Sequence, residues 1–137
     1  MTKVYLCSFA SPDLNLSVKR FFDQAKQLKF YEEIKIFGEN DLSDDLKIRI
    51  KSFKYPIKSK RLFGYACWKP YIIKKYLSSL PANSVLQYSD IGSHFNINGI
   101  QRLKEYIEIC EKQNLLAFQY RVPNWKNFSN FKFQQYF

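Results

Sequence analysis

Glycine and proline are scarce in this chain, with 4 and 5 among 137 residues, and histidine occurs once. No stretch therefore reads as collagen, low complexity or a flexible linker, and no internal repeat is present. The few glycines form neither a GxxxxGK[ST] phosphate loop nor a GxGxxG turn after the first strand-like run, which leaves nucleotide triphosphatase and dinucleotide-binding readings without support. A GxSxG nucleophile elbow is also missing. The three cysteines, Cys7, Cys67 and Cys110, are odd in number, widely spaced and free of a CxxC pair. That argues against a zinc site or a disulfide framework and fits a reducing cytoplasm. Cys67 has no evident base, because the single histidine lies in another segment, so a Cys–His nucleophile is not expected. Apolar runs fall far short of the ~18 residues of a membrane span. Asp13 interrupts the N-terminal apolar run before any small-residue cleavage site, which argues against a secretory signal.

What is present is an ordinary globular balance, 46% apolar and 25% charged, with an unusual share of aromatics at 18%. The length fits one domain over residues 1–137, able to bury roughly 68% of its unfolded surface. The net charge of +10 is concentrated. Residues 46–89 contain Lys47, Arg49, Lys51, Lys54, Lys58, Lys60, Arg61, Lys69, Lys74 and Lys75 and no acidic residue, while the rest of the chain is balanced. Such a segment is either a surface for phosphates or a solvated basic face.

Periodicity gives the framework. Val4 to Ala10 is a short run of strand formers ended by the turn residues Ser11-Pro12-Asp13. Val18, Phe21, Phe22, Ala25 and Leu28 recur at helical spacing, with Ser17 as a candidate N-cap. Ile34 to Phe37 reads as a second strand. Ser43 is placed to cap a short helix carrying Leu46, Ile50 and Phe53. Pro70 suits the first turn of a further helix whose predicted apolar face is Ile73, Tyr76, Leu77 and Leu80. Ser84 to Ile91 reads as a third strand, and Ile100, Leu103, Tyr106, Ile107 and Cys110 mark another helix. Leu115 to Phe118 reads as a fourth strand. The alternation predicts an α/β fold, a mainly parallel sheet with helices on both faces, whose ligands bind at the carboxyl ends of the strands.

Asp90 is the leading site candidate, a carboxylate just past a buried strand and followed by Gly92, which lets a backbone and a ligand approach closely. The alternative is a turn or cap aspartate. His94 is in reach for a carboxylate–imidazole metal pair, or is an ordinary surface histidine. The segment 61–70, RLFGYACWKP, puts rings and cations just before a helix start, where unpaired N–H groups favour an anion. Phe63, Tyr65 and Trp68 are there either to stack a base or to fill the core.

The block RLFGYACWKPYIIKKYLSSLPANSVLQYSDIGSHFN resembles bacterial glycosyltransferase-like proteins of surface-polysaccharide gene clusters, in Trp68-Lys69-Pro70, Tyr88-Ser89-Asp90-Ile91-Gly92 and Asn96, and the resemblance continues through residues 102–120. It implies the A-type glycosyltransferase fold, transfer of a sugar from a nucleotide-sugar donor to a surface-glycan or lipid-linked acceptor, and lipopolysaccharide or capsule biosynthesis. It also implies a cytoplasmic location, with peripheral contact at the cytoplasmic face of the inner membrane. In that fold a D-x-D motif holds ribose and a divalent metal, Mn or Mg. Asp90 stands at its first aspartate and is the tentative metal ligand, while Gly92 replaces the second, so metal dependence stays open. The implied donor site comprises Phe9, Ala10 and Ser11 beside the nucleoside, Arg61, Tyr65, Trp68 and Lys69 along the donor, and Asp90 with Gly92 at the ribose. No acceptor base can be named.

Two rivals stand beside this reading. The basic, ring-rich composition suits a nucleic-acid-binding module, but no recognised motif of one appears, and nucleic acid is not an expected partner. An inactive glycosyltransferase relic serving as an interaction domain is the other. The final stretch concentrates Trp125, Phe128, Phe131, Phe133, Tyr136 and Phe137, an apolar face that needs a packing partner. This leads to the expectation that the chain is an N-terminal portion, truncated relative to its family.

Overall fold

The structure, a computed structural model, describes residues 2–52 and 66–118. Its element order is β1 (Val4–Phe9), α1 (Asn15–Gln27), β2 (Glu33–Phe37), α2 (Asp44–Ser52), α3 (Trp68–Leu77), β3 (Val85–Tyr88) and α4 (Ile100–Gln113). Short 3-10 turns at Pro12–Leu14, Glu39–Asp41 and Ile97–Gly99 lead into α1, α2 and α4.

The three strands form one parallel sheet in the order β2-β1-β3. All six residues of β1 are buried, as a central strand covered on both faces requires. Alternation along β1 divides the core in two. Tyr5, Cys7 and Phe9 meet Phe37, Ile50, Trp68, Ile72 and Tyr76 on the α2–α3 side. Leu6 and Ala10 meet Phe21, Ala25 and Ile91 on the α1 side. The expected parallel α/β sheet with helices on both faces is therefore present. α1 returns the chain from β1 to β2, whereas α2 and α3 carry it across to the opposite edge. The strand order reverses between β1 and β3, and the carboxyl ends of these two strands flank that switch point, where open α/β sheets bind ligands.

Local details depart from the sequence reading. Ser17 does not cap α1, because the turn at Pro12–Leu14 runs straight into the helix and leaves Ser17 inside its first turn. Ser43 does cap α2, its Oγ accepting from the Leu46 amide at 3.3 Å. On α3 the buried stripe is Trp68, Ile72 and Tyr76, while Leu77 is half exposed. The helix is rotated relative to the predicted face because its first residue, Trp68, is itself a core ring. The fourth strand is not formed. Leu115 to Phe118 is irregular, Leu115 is exposed, and the Phe118 ring packs edge-on to Tyr106 of α4 at 4.8 Å, with no strand partner among the described residues. α4 closes on Asn114 at φ 63°, a left-handed position that asparagine tolerates. No described helix is long and apolar enough to cross a membrane.

Candidate functional site

β3 ends at Tyr88, and its ladder to β1 continues one residue further through the bond from the Ser89 amide to the Cys7 carbonyl at 3.1 Å. Asp90 is thereby delivered beyond the sheet at its carboxyl end. The Tyr88 hydroxyl donates to Asp90 Oδ1 at 2.7 Å, and Lys69 Nζ lies 3.0 Å from the same oxygen. The ammonium also sits 4.9 Å from the centre of the Tyr88 ring. Lys69 is the second residue of α3, so this ion pair joins the start of α3 to the end of β3. Partial burial pushes the Asp90 carboxyl up, but the bonds from Tyr88 and Lys69 outweigh it and hold the group below its usual value of 3.8. The Tyr88 hydroxyl is pushed far up, by burial first and by its bond to Asp90 second. At neutral pH Asp90 is a carboxylate and Tyr88 a neutral phenol.

The loop after Asp90 is held from the other face of the sheet. The Arg20 guanidinium on α1 donates to the Ile91 carbonyl at 2.9 Å and to the Ser93 carbonyl at 2.7 Å. Gln24, one turn along, accepts from the Phe95 amide at 3.3 Å, and Phe95 packs edge-on to Phe21. Outside β3 an open cleft of about 580 Å³ runs from Lys69, Tyr88 and Asp90 along the strand to Tyr106 and Phe118. Its walls are largely the half-buried apolar face of α4 and the edge of β3.

Of the residues expected at the site, Lys69 and Asp90 come together and line this cleft. Phe9, Ala10, Ser11, Trp68 and Gly92 do not line it. Phe9 and Trp68 stack on each other inside the core, with ring centres 4.0 Å apart and planes 18° apart. A base cannot insert between rings so packed, and Trp68 is a core ring rather than an exposed stacking surface. Ala10 is buried, its amide donating to the Phe37 carbonyl at 2.9 Å. The Ser11 hydroxyl is engaged by Asp13 at 2.6 Å. Gly92 is exposed, and no atom of the described residues lies within 4 Å of where a Cβ would sit, so none of them demands a glycine there. Arg61 and Tyr65, together with Phe63 and the C-terminal aromatics, lie outside the described residues. His94 is exposed on the cleft rim.

Oδ1 of Asp90, the tentative metal ligand, faces the Lys69 ammonium, and among the described residues no group of three or more His, Cys, Asp or Glu side chains converges. Sequence reasoning singled out neither Tyr88 as the partner of Asp90 nor Arg20 as the anchor of its loop. Tyr88, two residues before Asp90, falls on the same side of an extended chain, a signal that strand periodicity carried. Arg20 gave none, because its bonds span 71 and 73 residues and go to backbone carbonyls. Comparison with protein-family models, curated proteins and solved structures finds no match to this chain.

Proposed function

We propose that this chain is the donor-nucleotide-binding part of a nucleotide-sugar-dependent glycosyltransferase, serving a surface-glycan or lipid-linked acceptor. The observation that carries the reading is the Lys69–Asp90 pair at the carboxyl ends of a parallel sheet, beside the switch point between β1 and β3. A nucleoside diphosphate presents the two chemistries this pair can meet. Its ribose hydroxyls donate to a carboxylate, and its phosphate oxygens accept from an ammonium.

Lys69 is paired with Asp90, so donor binding requires the ammonium to exchange from carboxylate to phosphate. An exposed ion pair contributes about 0–1 kcal/mol, and the Asp90 side chain is 66% exposed. A charge-assisted hydrogen bond to phosphate contributes about 1.5–3 kcal/mol. The exposed pair is therefore too weak to bar this exchange, which releases Asp90 for the ribose. In the transfer itself the acceptor hydroxyl oxygen bonds to the sugar's anomeric carbon as that carbon's bond to the diphosphate oxygen breaks, the hydroxyl proton passes to solvent, and negative charge grows on the departing oxygen. Lys69 supplies counter-charge to that oxygen. Calorimetric titration of the wild type and Lys69→Ala with UDP and GDP tests the assignment. Binding weakened roughly tenfold by the substitution is expected. Equal affinities would remove Lys69 from the site, and no binding to the wild type would sink the reading.

A further inference from the structure

We infer that Arg20 is a positioning residue for Asp90, fixing from α1 the loop that sets where the carboxylate sits. The inference rests on the reading of Asp90 as a ligand-binding carboxylate.

Asp90 lies two residues past the end of β3 and is largely solvent-exposed, so packing alone does not fix it. Its own backbone carbonyl accepts from the Ser93 amide at 2.8 Å, which makes residues 90–93 a turn. The Arg20 guanidinium grips the same turn by two carbonyls, at Ile91 and Ser93, through two different nitrogens. A planar fork holding two acceptors on one turn restricts its rotation as well as its distance, which a single-point contact does not. The fork is itself well founded. Arg20 immediately precedes Phe21, a fully buried core residue of α1. Gln24 Oε1 accepts from Arg20 Nη1 at 3.4 Å and from the Phe95 amide, so one amide oxygen ties the fork to the far end of the loop. Asp90 is thus held from two sides: its side chain by Lys69 and Tyr88 on the α3 side, and the Ile91 and Ser93 carbonyls of its turn by Arg20 on the α1 side.

A residue that acts through Asp90 is distinguished from a mere tie between α1 and the loop by a double-mutant cycle. UDP affinity is measured by calorimetry on the wild type, Arg20→Gln, Asp90→Asn and the double variant, alongside Tm and amide hydrogen exchange. A positioning role predicts that Arg20→Gln alone weakens binding about tenfold. In its background Asp90→Asn then costs much less than in the wild type. Arg20→Lys, the milder variant should Arg20→Gln unfold, keeps the cation but reaches one carbonyl. It is expected to recover Tm more fully than affinity. Exchange at the Ser93 and Phe95 amides rises in both variants, while the β1 amides stay protected. Additive losses in the cycle, or an affinity that follows Tm through both variants, would overturn the positioning role. So would unchanged exchange at Ser93 and Phe95. If the wild type binds no nucleotide, the nucleotide reading fails, and the exchange data still decide whether Arg20 holds the loop.

Discussion

Replacing Trp68 by alanine separates the two roles the sequence left open for this ring. Trp68 opens α3, is 9% exposed, and stacks on Phe9 at 4.0 Å within the cluster that also contains Ile72 and Tyr76. Truncating a buried tryptophan removes its transfer free energy and leaves a cavity, together about 3–5 kcal/mol. The lost ring–ring term, about 0.5–1.5 kcal/mol, is part of that sum. Against a total stability of about 5–15 kcal/mol for a domain, the variant stands near the edge of folding. At about 4 °C per kcal/mol for a chain of this size, Tm falls by roughly 12–20 °C. Trp68→Phe keeps a ring against Phe9 and is expected to cost about 1–2 kcal/mol. Urea titration followed by far-UV circular dichroism gives both values, with nucleotide affinity measured under folding conditions for Trp68→Phe. Stability unchanged in the alanine variant, with nucleotide affinity lost, would show that Trp68 faces a ligand and would refute the packing argument.

Cys7 is buried in the sheet and its thiol is pushed up to about 12 by desolvation. A thiol reagent at pH 8 is therefore expected to label the half-buried Cys67 and Cys110 first, with Cys7 reacting only on unfolding. Because the folded state favours the neutral thiol, its contribution to stability is full below the ordinary value of 9.0 and is lost as pH rises toward 12. Tyr76→Phe removes the hydroxyl that donates to Glu33 at 2.6 Å. Glu33 is exposed and regains water, so the expected loss is about 1 kcal/mol by urea titration. Asp90→Asn is expected to change stability by less than about 1 kcal/mol at pH 7, since the pair is exposed. As the folded carboxyl titrates below its ordinary value of 3.8, the Tm difference from wild type should vanish when pH falls through and below that value.

Much of the framework was legible because it follows from local pattern. Strand formers between turn residues gave β1 and β2, and three- and four-residue spacing gave α1, α3 and α4. The elements that failed depend on what they meet. α3 turns Trp68 inward because Phe9 is there to stack on it, and a count of apolar positions within the helix contains no such information. Leu115 to Phe118 has the composition of a strand, but a strand exists only by pairing, and Phe118 instead finds Tyr106. At the site, Asp90 was legible because a carboxylate after an apolar run breaks that pattern, although β3 is a half-buried edge strand rather than a buried one. Its closeness to Lys69 was legible only as two neighbours of strand and helix ends, and the bond between them came from the crossover that brings α3 over β3. Arg20 could not be read at all, since a bond to a backbone carbonyl selects no residue type at its far end.

The central claim is that Asp90 belongs to a nucleoside diphosphate site, and direct titration of UDP and GDP, free and sugar-linked, into wild type and Asp90→Asn tests it. The substitution is nearly isosteric and keeps an oxygen for the Tyr88 hydroxyl, so the fold is retained while the charge is lost. Saturable binding to the wild type is predicted for at least one of these nucleotides. A loss of roughly ten- to a hundredfold is predicted in Asp90→Asn, the worth of one charge-assisted hydrogen bond, with Tm held within a few degrees. Equal affinity in the two proteins, or no binding of any nucleoside diphosphate to the wild type, would contradict the account and leave Asp90 as an aspartate that only ties β3 to α3.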